Sequence, residues 1–440
     1  MNRRQMMVAS LGSALVAGAA PAAGRKAEGA FAGGPGPRLF PNDNTFWFEL
    51  QRSFANAEYG GSLFGEVLAI AAQIREGDFE SWYVAFNSAA DRIAAEGRDQ
   101  LRRGHRISAR DSFMRASSYY YSSEFFLHGT PGDPRISRAY RNSIGCYKQA
   151  CALFETPIEP VDIPYEGKRL PGYFHQPDGP HQKRPTLLIH TGFDGSAEEM
   201  HMTGARAAVE RGYNVVAFDG PGQYGALHRD GLVFRPDWEK VIGPVIDFAL
   251  KRAVVDPERI VLMGMSLGGL LAPRAAAFEP RLAAVVANDG VFDFGAVMVK
   301  LFAGGQASAL QPSAHAEEQT ALDQKLAALL ASKSTARWFL HHGMWATGSA
   351  TPREYLRKTL DYNLRGGIAE KITCPLLVCA AEGDAAIGGQ AEELYARASS
   401  KTKKLLRFAY AEGAGAHCQV GASRLAFARI FDWLDELLAR

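Results

Sequence analysis

The sequence predicts an α/β protein, a mostly parallel sheet with helices on both faces, and three observations carry that expectation. From Thr186 onward short apolar runs alternate with amphipathic stretches, the pattern of strands joined through crossover helices. One of those runs, Arg259-Ile260-Val261-Leu262-Met263, leads into Gly264-Met265-Ser266-Leu267-Gly268 and then into the helix start Gly269-Leu270-Leu271-Ala272. Strand, glycine-flanked turn and helix in that order lift a serine hydroxyl clear of the sheet. Downstream, an acid and then a histidine follow later strands, the chain order that such a serine requires.

The elements follow in order. Residues 1–23 read as an export signal, since Arg3-Arg4 precedes the mildly apolar run 6–20 and Ala20-Pro21-Ala22 offers small residues for cleavage. The arrangement is twin-arginine-like and implies a periplasmic or secreted protein, the alternative being a cytoplasmic chain with a chance arginine pair. Residues 24–41, rich in Gly, Ala and Pro, read as a linker. Residues 42–160 are expected to form a helical N-terminal cap domain, because 66–74, 81–95 and 108–127 carry apolar residues at helical spacing. The last stretch concentrates Phe113, Tyr119, Tyr120, Tyr121, Phe125 and Phe126; this face either roofs an aromatic substrate or packs on the core.

The catalytic domain, 161–440, opens on a hairpin of Val161-Asp162-Ile163 and Gly172-Tyr173-Phe174. Strands are expected at 186–190, 214–218, 259–263, 284–287, 375–380 and 405–410. The interval of about 295–369 is mostly helical and stands where a lid is inserted, and the amphipathic stretch 425–438 closes the chain.

Ser266 is the candidate nucleophile. Asp384, in the loop Ala381-Glu382-Gly383-Asp384, is the candidate acid, with Glu382, Asp289 and Asp293 as rivals. Of eleven histidines, only His417 sits on a loop after the last strand and before the closing helix, which makes it the candidate base. Attack on a carbonyl needs donors placed where negative charge develops. The N–H of Leu267 is one, and the N–H of Phe193, in Thr191-Gly192-Phe193-Asp194-Gly195, is the expected second. The turn Asp219-Gly220-Pro221-Gly222-Gln223 is expected to shape that loop rather than touch substrate. Taken singly, the pentapeptide also fits an ordinary glycine-rich turn and His417 a surface loop; their order along the chain favours catalysis.

At 440 residues, 47% hydrophobic and 22% charged, the chain has ample material for a large core. Its net charge of +2 and the absence of a basic stripe interleaved with aromatics point away from nucleic acid. Neither G-x-x-x-x-G-K-[ST] nor H-E-x-x-H occurs, so no nucleotide, catalytic metal or other cofactor is signalled. No run approaches the roughly 20 apolar residues of a membrane span. The expected partner is a small molecule, aromatic by preference, with a homodimer as a possible assembly. Five cysteines are too few and too irregular for a disulfide framework, and Cys146 and Cys151 fall on different helix faces. Cys418 stands beside His417, where the serine already fills the nucleophile's role.

Together these features describe the α/β-hydrolase fold with a helical cap and a helical lid. The similarity extends into Gly77-Asp78-Phe79-Glu80-Ser81-Trp82-Tyr83, Gly104-His105-Arg106-Ile107-Ser108-Ala109-Arg110 and Arg115-Ala116-Ser117-Ser118-Tyr119-Tyr120. With the 219–223 turn and the 264–268 elbow, these segments resemble the branch of 2,6-dihydroxypseudooxynicotine hydrolases and of pigment-pathway hydrolases that shorten polyketide chains. The resemblance covers nearly everything after the linker. It implies a cofactor-free enzyme with Ser266, Asp384 and His417 as triad, cleaving a carbon–carbon bond next to a ketone. Such cleavage expels a carbanion equivalent, which must be delocalised and protonated. In the nicotine-pathway relatives a glutamate stands in the oxyanion loop near the substrate, and the matching position here is Asp194. Being one methylene shorter, Asp194 is either a proton donor or a turn former before Gly195. The alternative enzyme is a secreted carboxylesterase using the same triad on an ester or lactone. A binding module that kept the fold and lost chemistry is opposed by the intact elbow, acid and histidine.

Overall fold

The computed structural model describes residues 36–177, 179, 182–384 and 387–439; the expected export signal and most of the expected linker lie outside them. The strands are β1 (Glu159–Tyr165), β2 (Lys168–His175), β3 (Arg184–His190), β4 (Asn214–Phe218), β5 (Val255–Met265), β6 (Ala284–Asn288), β7 (Leu376–Ala381) and β8 (Lys403–Phe408). They form one eight-stranded sheet in the order β1-β2-β4-β3-β5-β6-β7-β8. The β1–β2 hairpin joins antiparallel to β4, and every pairing from β4 to β8 is parallel. Burial explains the sequences. β4 and β6 are buried at every residue and read as unbroken apolar runs, as strands covered on both faces must. β1, at the sheet edge, alternates exposed and buried residues over most of its length. The chain passes from β3 to β4 and then back across β3 to β5, so the direction of winding reverses between β3 and β5. Ligand sites in open α/β sheets form at the carboxyl ends of strands flanking such a reversal.

Before the sheet come α1 (Asn44–Ala55), α2 (Phe64–Ala71), α3 (Phe79–Arg102), α4 (Arg106–Glu124) and α5 (Pro134–Cys151). Asp43, Asp78 and Asp133 cap α1, α3 and α5, their carboxylates accepting from the otherwise unpaired first N–H groups. Those caps explain why α3 begins before the apolar stretch that announced it. α1 has no clean stripe to find from sequence: its buried residues include Thr45, Glu49 and Ser53 beside Phe46, Phe48 and Leu50. The 119–126 aromatic face resolves as packing. Phe126 stacks on Phe46 and Phe79 at 4.8 and 4.5 Å, and Phe125 stacks on Trp338 at 4.8 Å.

Four helices, Phe294–Phe302, Ala316–Ser332, Ser334–Thr347 and Pro352–Thr359, occupy the interval between β6 and β7. Ser334 donates to Asp43, the Thr45 and Thr335 hydroxyls share a hydrogen bond, and Arg337 donates to the Gly77 carbonyl at 3.2 Å. These contacts join the inserted helices to α1 and α3. Helix Ser423–Leu438 closes the chain. All five cysteines are free thiols. Among the described residues no helix is long and apolar enough to cross a membrane.

Candidate active site

β5 ends at Met265, and Ser266 adopts φ of +59°, a left-handed conformation rarely populated by residues other than glycine. The turn is held by its own backbone, with Ser266 N–H donating to Asn288 O at 2.6 Å and Gly269 N–H to Ser266 O at 2.8 Å. The flanking glycines are required by close approach. A Cβ on Gly264 would lie 2.0 Å from the Gly268 carbonyl oxygen, and one on Gly269 would lie 1.7 Å from that of Asp289. Strain at the serine is thus maintained by tight packing on both sides.

His417 begins a short turn after β8 and reaches across to the elbow. Its Nε2 lies 2.8 Å from Ser266 Oγ, and its Nδ1 lies 2.8 Å from the Asp384 carboxylate. Asp289 is the near rival, with Oδ2 at 3.5 Å from the same Nδ1. It also accepts from Cys418 N–H at 2.8 Å and Gln419 Nε2 at 2.6 Å. Burial, reinforced by the Asp384 charge beside it, pushes the Asp289 carboxyl well above the usual range. Burial opposes protonation of His417, but the adjacent Asp384 carboxylate outweighs it and the imidazole is displaced upward. The other rivals are engaged elsewhere. Glu382 accepts from Tyr410 N–H at 2.7 Å, and Asp293 caps the following helix and pairs with Arg365.

The loop after β3 packs directly on the elbow: a Cβ on Gly192 would lie 2.5 Å from Leu267 N and 2.9 Å from Ser266 Cβ. Among the described residues, neither Leu267 N–H nor Phe193 N–H donates to a protein acceptor. Gln223, at the end of the 219–223 turn, donates from Nε2 to Thr191 O at 2.5 Å and Gly192 O at 3.3 Å. That turn shapes the loop from outside the cavity.

A cavity opens above Ser266, with Phe48, Phe193, Phe294, Trp338 and Phe339 forming much of its apolar wall. None of residues 119–126 lines it. Its polar wall centres on Arg52 of α1, which sequence reasoning missed. The guanidinium donates to Glu199 through Nε and Nη2, each at 2.5 Å, and to Asp194 Oδ2 at 3.2 Å. Behind it Glu49 accepts at 3.4 Å; burial pushes this carboxyl up to about 8 against the pull of Arg52. Arg52 and Asp194 stand far apart in sequence and belong to no common motif, so no local signal could have paired them. For metal binding, the ligand atoms of Asp289, His417 and Cys418 lie within 4.8 Å of one another among the described residues. They belong to the Ser266 site, where Cys418 Sγ donates to Asn288 O at 3.4 Å.

A mostly parallel eight-stranded sheet with an elbow serine at its reversal point is the α/β-hydrolase fold. The profile of the alpha/beta hydrolase family matches residues 186–429, and the chain belongs to that family. It is 34% identical over 435 residues to hydrolase acrC of Aspergillus aculeatus, covering 91% of this chain and 97% of the relative. It is 33% identical over 430 residues to the 20-hydroxy-prefusarin hydrolase FUS2 of Gibberella moniliformis, covering 91% and 98%. The crystal structure of 2,6-dihydroxy-pseudo-oxynicotine hydrolase shares the fold, with a TM-score of 0.67 at 19% identity over 88% of this chain and 95% of that one.

Proposed function

We propose that the chain is a serine hydrolase that cleaves a carbon–carbon bond next to a ketone, in an aromatic or polyketide-like small molecule, through an acyl-enzyme. The observation that carries this reading is the Asp384–His417–Ser266 row, joined at 2.8 Å and 2.8 Å, beneath an apolar cavity. His417 Nε2 takes the Ser266 proton as Oγ attacks the ketone carbon, while Asp384 holds the Nδ1–H tautomer. The N–H groups of Leu267 and Phe193 receive the oxyanion. When the carbonyl re-forms, the carbon–carbon bond breaks and its electron pair passes to the leaving carbon. That carbon is delocalised into a ring or enolate and takes the proton from His417. Water, deprotonated by His417, then attacks the acyl-enzyme, releasing a carboxylic acid and restoring the Ser266 hydroxyl.

The resemblance of the amino-terminal motifs supports carbon as the leaving atom, and Asp194 supplies an acidic side chain in the cavity wall. The ester reading stands beside it on one observation, the Arg52–Asp194 pair at 3.2 Å. A carboxylate paired with a guanidinium accepts hydrogen bonds, which suits Asp194 to orienting a substrate hydroxyl better than to giving up a proton. Purified protein assayed on a polyhydroxylated aryl ketone and on the matching aryl ester separates the two. On the carbon–carbon reading, in which Asp194 assists protonation of the poorer leaving group, Asp194→Asn is expected to damage ketone cleavage far more than ester cleavage. Equal losses, or fast ester turnover with no ketone cleavage, would favour the carboxylesterase.

Export is likewise a proposal, resting on Arg3-Arg4 and the small residues near Ala22. Replacing both arginines with lysine is expected to trap precursor inside the cell. Mass spectrometry of native enzyme is expected to place the mature terminus near Ala23 or Gly24; active enzyme with Met1 intact would place the protein in the cytoplasm.

A further inference from the structure

Behind the oxyanion loop runs a buried polar chain that the steps above leave unused. Glu124, the last residue of α4, accepts from His128 Nε2 at 2.6 Å. His128 Nδ1 meets His342 Nδ1 at 2.8 Å, and His342 Nε2 lies 2.8 Å from the Phe193 carbonyl oxygen. Glu124, His128 and His342 are 1%, 6% and 5% exposed, so each bond must be matched donor to acceptor. Working back from Phe193 sets the protons. A carbonyl only accepts, so His342 carries its proton on Nε2. Burial, with His128 nearby, holds the His342 imidazole down at about 4, so it is neutral and Nδ1 has a lone pair. His128 must then donate from Nδ1 and, toward the carboxylate, from Nε2 as well. Burial opposes a charged Glu124, but His128 and then His228, at 3.6 Å, outweigh it and hold the carboxyl at about 2.

We propose that this Glu124–His128–His342 chain is a positioning device for the oxyanion site, holding the Phe193–Asp194 peptide by its carbonyl and so limiting rotation of the adjoining Gly192–Phe193 peptide, whose N–H faces the reacting carbonyl. The inference rests on the oxyanion role given to Phe193 above. In a trans peptide the N–H points opposite the preceding carbonyl. Gln223 holds Gly192 O, which sets the plane carrying Phe193 N–H, and His342 holds Phe193 O, which sets the next plane. Tyr121 continues the series by donating to Asp194 O at 2.5 Å. The Phe193 ring is fixed as well, stacked on Phe339 at 5.6 Å and edge-on to His342 at 4.7 Å. Tyr121, Glu124 and His128 lie in or just after α4, and His342 lies in the inserted helix Ser334–Thr347. The floor of the site is therefore set from both helical regions above it. A buried polar chain is a poor source of stability compared with apolar packing, and defining one arrangement is its better-attested use.

The test uses the full chain, para-nitrophenyl acetate as substrate and phenyl trifluoromethyl ketone as an inhibitor that forms an oxyanion with the serine. His342→Leu is expected to lower kcat by about 10- to 100-fold with KM nearly unchanged, and to weaken the inhibitor by a similar factor. His342→Gln, which keeps an N–H for Phe193 O, is expected to restore most of both. Native kcat and inhibitor affinity in His342→Leu, or equal loss in the Leu and Gln variants, would overturn the proposal. Isotope-edited NMR of the unmodified protein decides the matter even if the leucine variant does not fold. It is expected to show protons on both ring nitrogens of His128 and on Nε2 of His342, and a His342 protonated only at Nδ1 would overturn the proposal. Native ester turnover and inhibitor binding in Ser266→Ala would instead remove the underlying oxyanion reading.

Discussion

Ser266→Ala and His417→Ala are each expected to lower turnover by about a million-fold while the protein unfolds at nearly the native temperature, and the double variant is expected to be no worse than either. The reason is geometric. Nε2 of His417 is bonded to Oγ of Ser266 at 2.8 Å, so removing the nucleophile leaves the base nothing to deprotonate, and removing the base leaves a neutral hydroxyl. Turnover of an activated aryl ester, thermal unfolding and labelling by a fluorophosphonate check this together. Near-native rate in Ser266→Ala would sink the mechanism.

The two buried carboxylates give the second large effect. Asp384→Asn is expected to lower kcat by about 10³- to 10⁴-fold, because an amide presents the wrong partner to Nδ1–H and destabilises the imidazolium formed during attack. Asp289→Asn is expected to cost far less, about tenfold, through its weaker contact of 3.5 Å with the same nitrogen. Once Asp384 is neutralised, the neighbouring charge that adds to burial in pushing the Asp289 carboxyl up is gone. Asp289 then takes over part of the support of His417 Nδ1, so Asp384→Asn with Asp289→Asn is expected to lose more than the product of the single losses. Steady-state kinetics of the four proteins form the cycle. A larger loss at Asp289 than at Asp384 would transfer the acid's role to Asp289.

Much of the site was legible in the chain because its rules are local. A left-handed serine between a strand and a helix leaves no room for side chains at Gly264 and Gly268, where a Cβ would lie 2.0 Å from Gly268 O and 2.8 Å from Thr191 O, so the G-x-S-x-G pattern records a steric need. Doubly covered strands such as β4 and β6 must be apolar throughout, which made the sheet readable. His417 was found by its place after the last strand. The helical regions were readable in outline only, since propensity and periodicity give weak boundaries where capping by Asp43, Asp78 and Asp133 decides where a helix starts.

The sequence by itself determined the sheet, the elbow, the position of the candidate base and the loop that carries Phe193, each through a pattern contained in a short stretch of chain. Tertiary structure decided which carboxylate lies closest to His417, since Asp289 and Asp384 both follow strands and differ only in their final distances, 3.5 and 2.8 Å. It turned the 119–126 aromatic face inward against Phe46, Phe79 and Trp338. It also brought Arg52 to Asp194 and Glu199, and linked Glu124 through two histidines to the Phe193 carbonyl. Those partners are separated by many residues, and a polar side chain buried at a distance leaves no periodic mark on its own segment. Its identity follows from the requirement that buried donors and acceptors be matched, and that requirement is met only when the chain has folded.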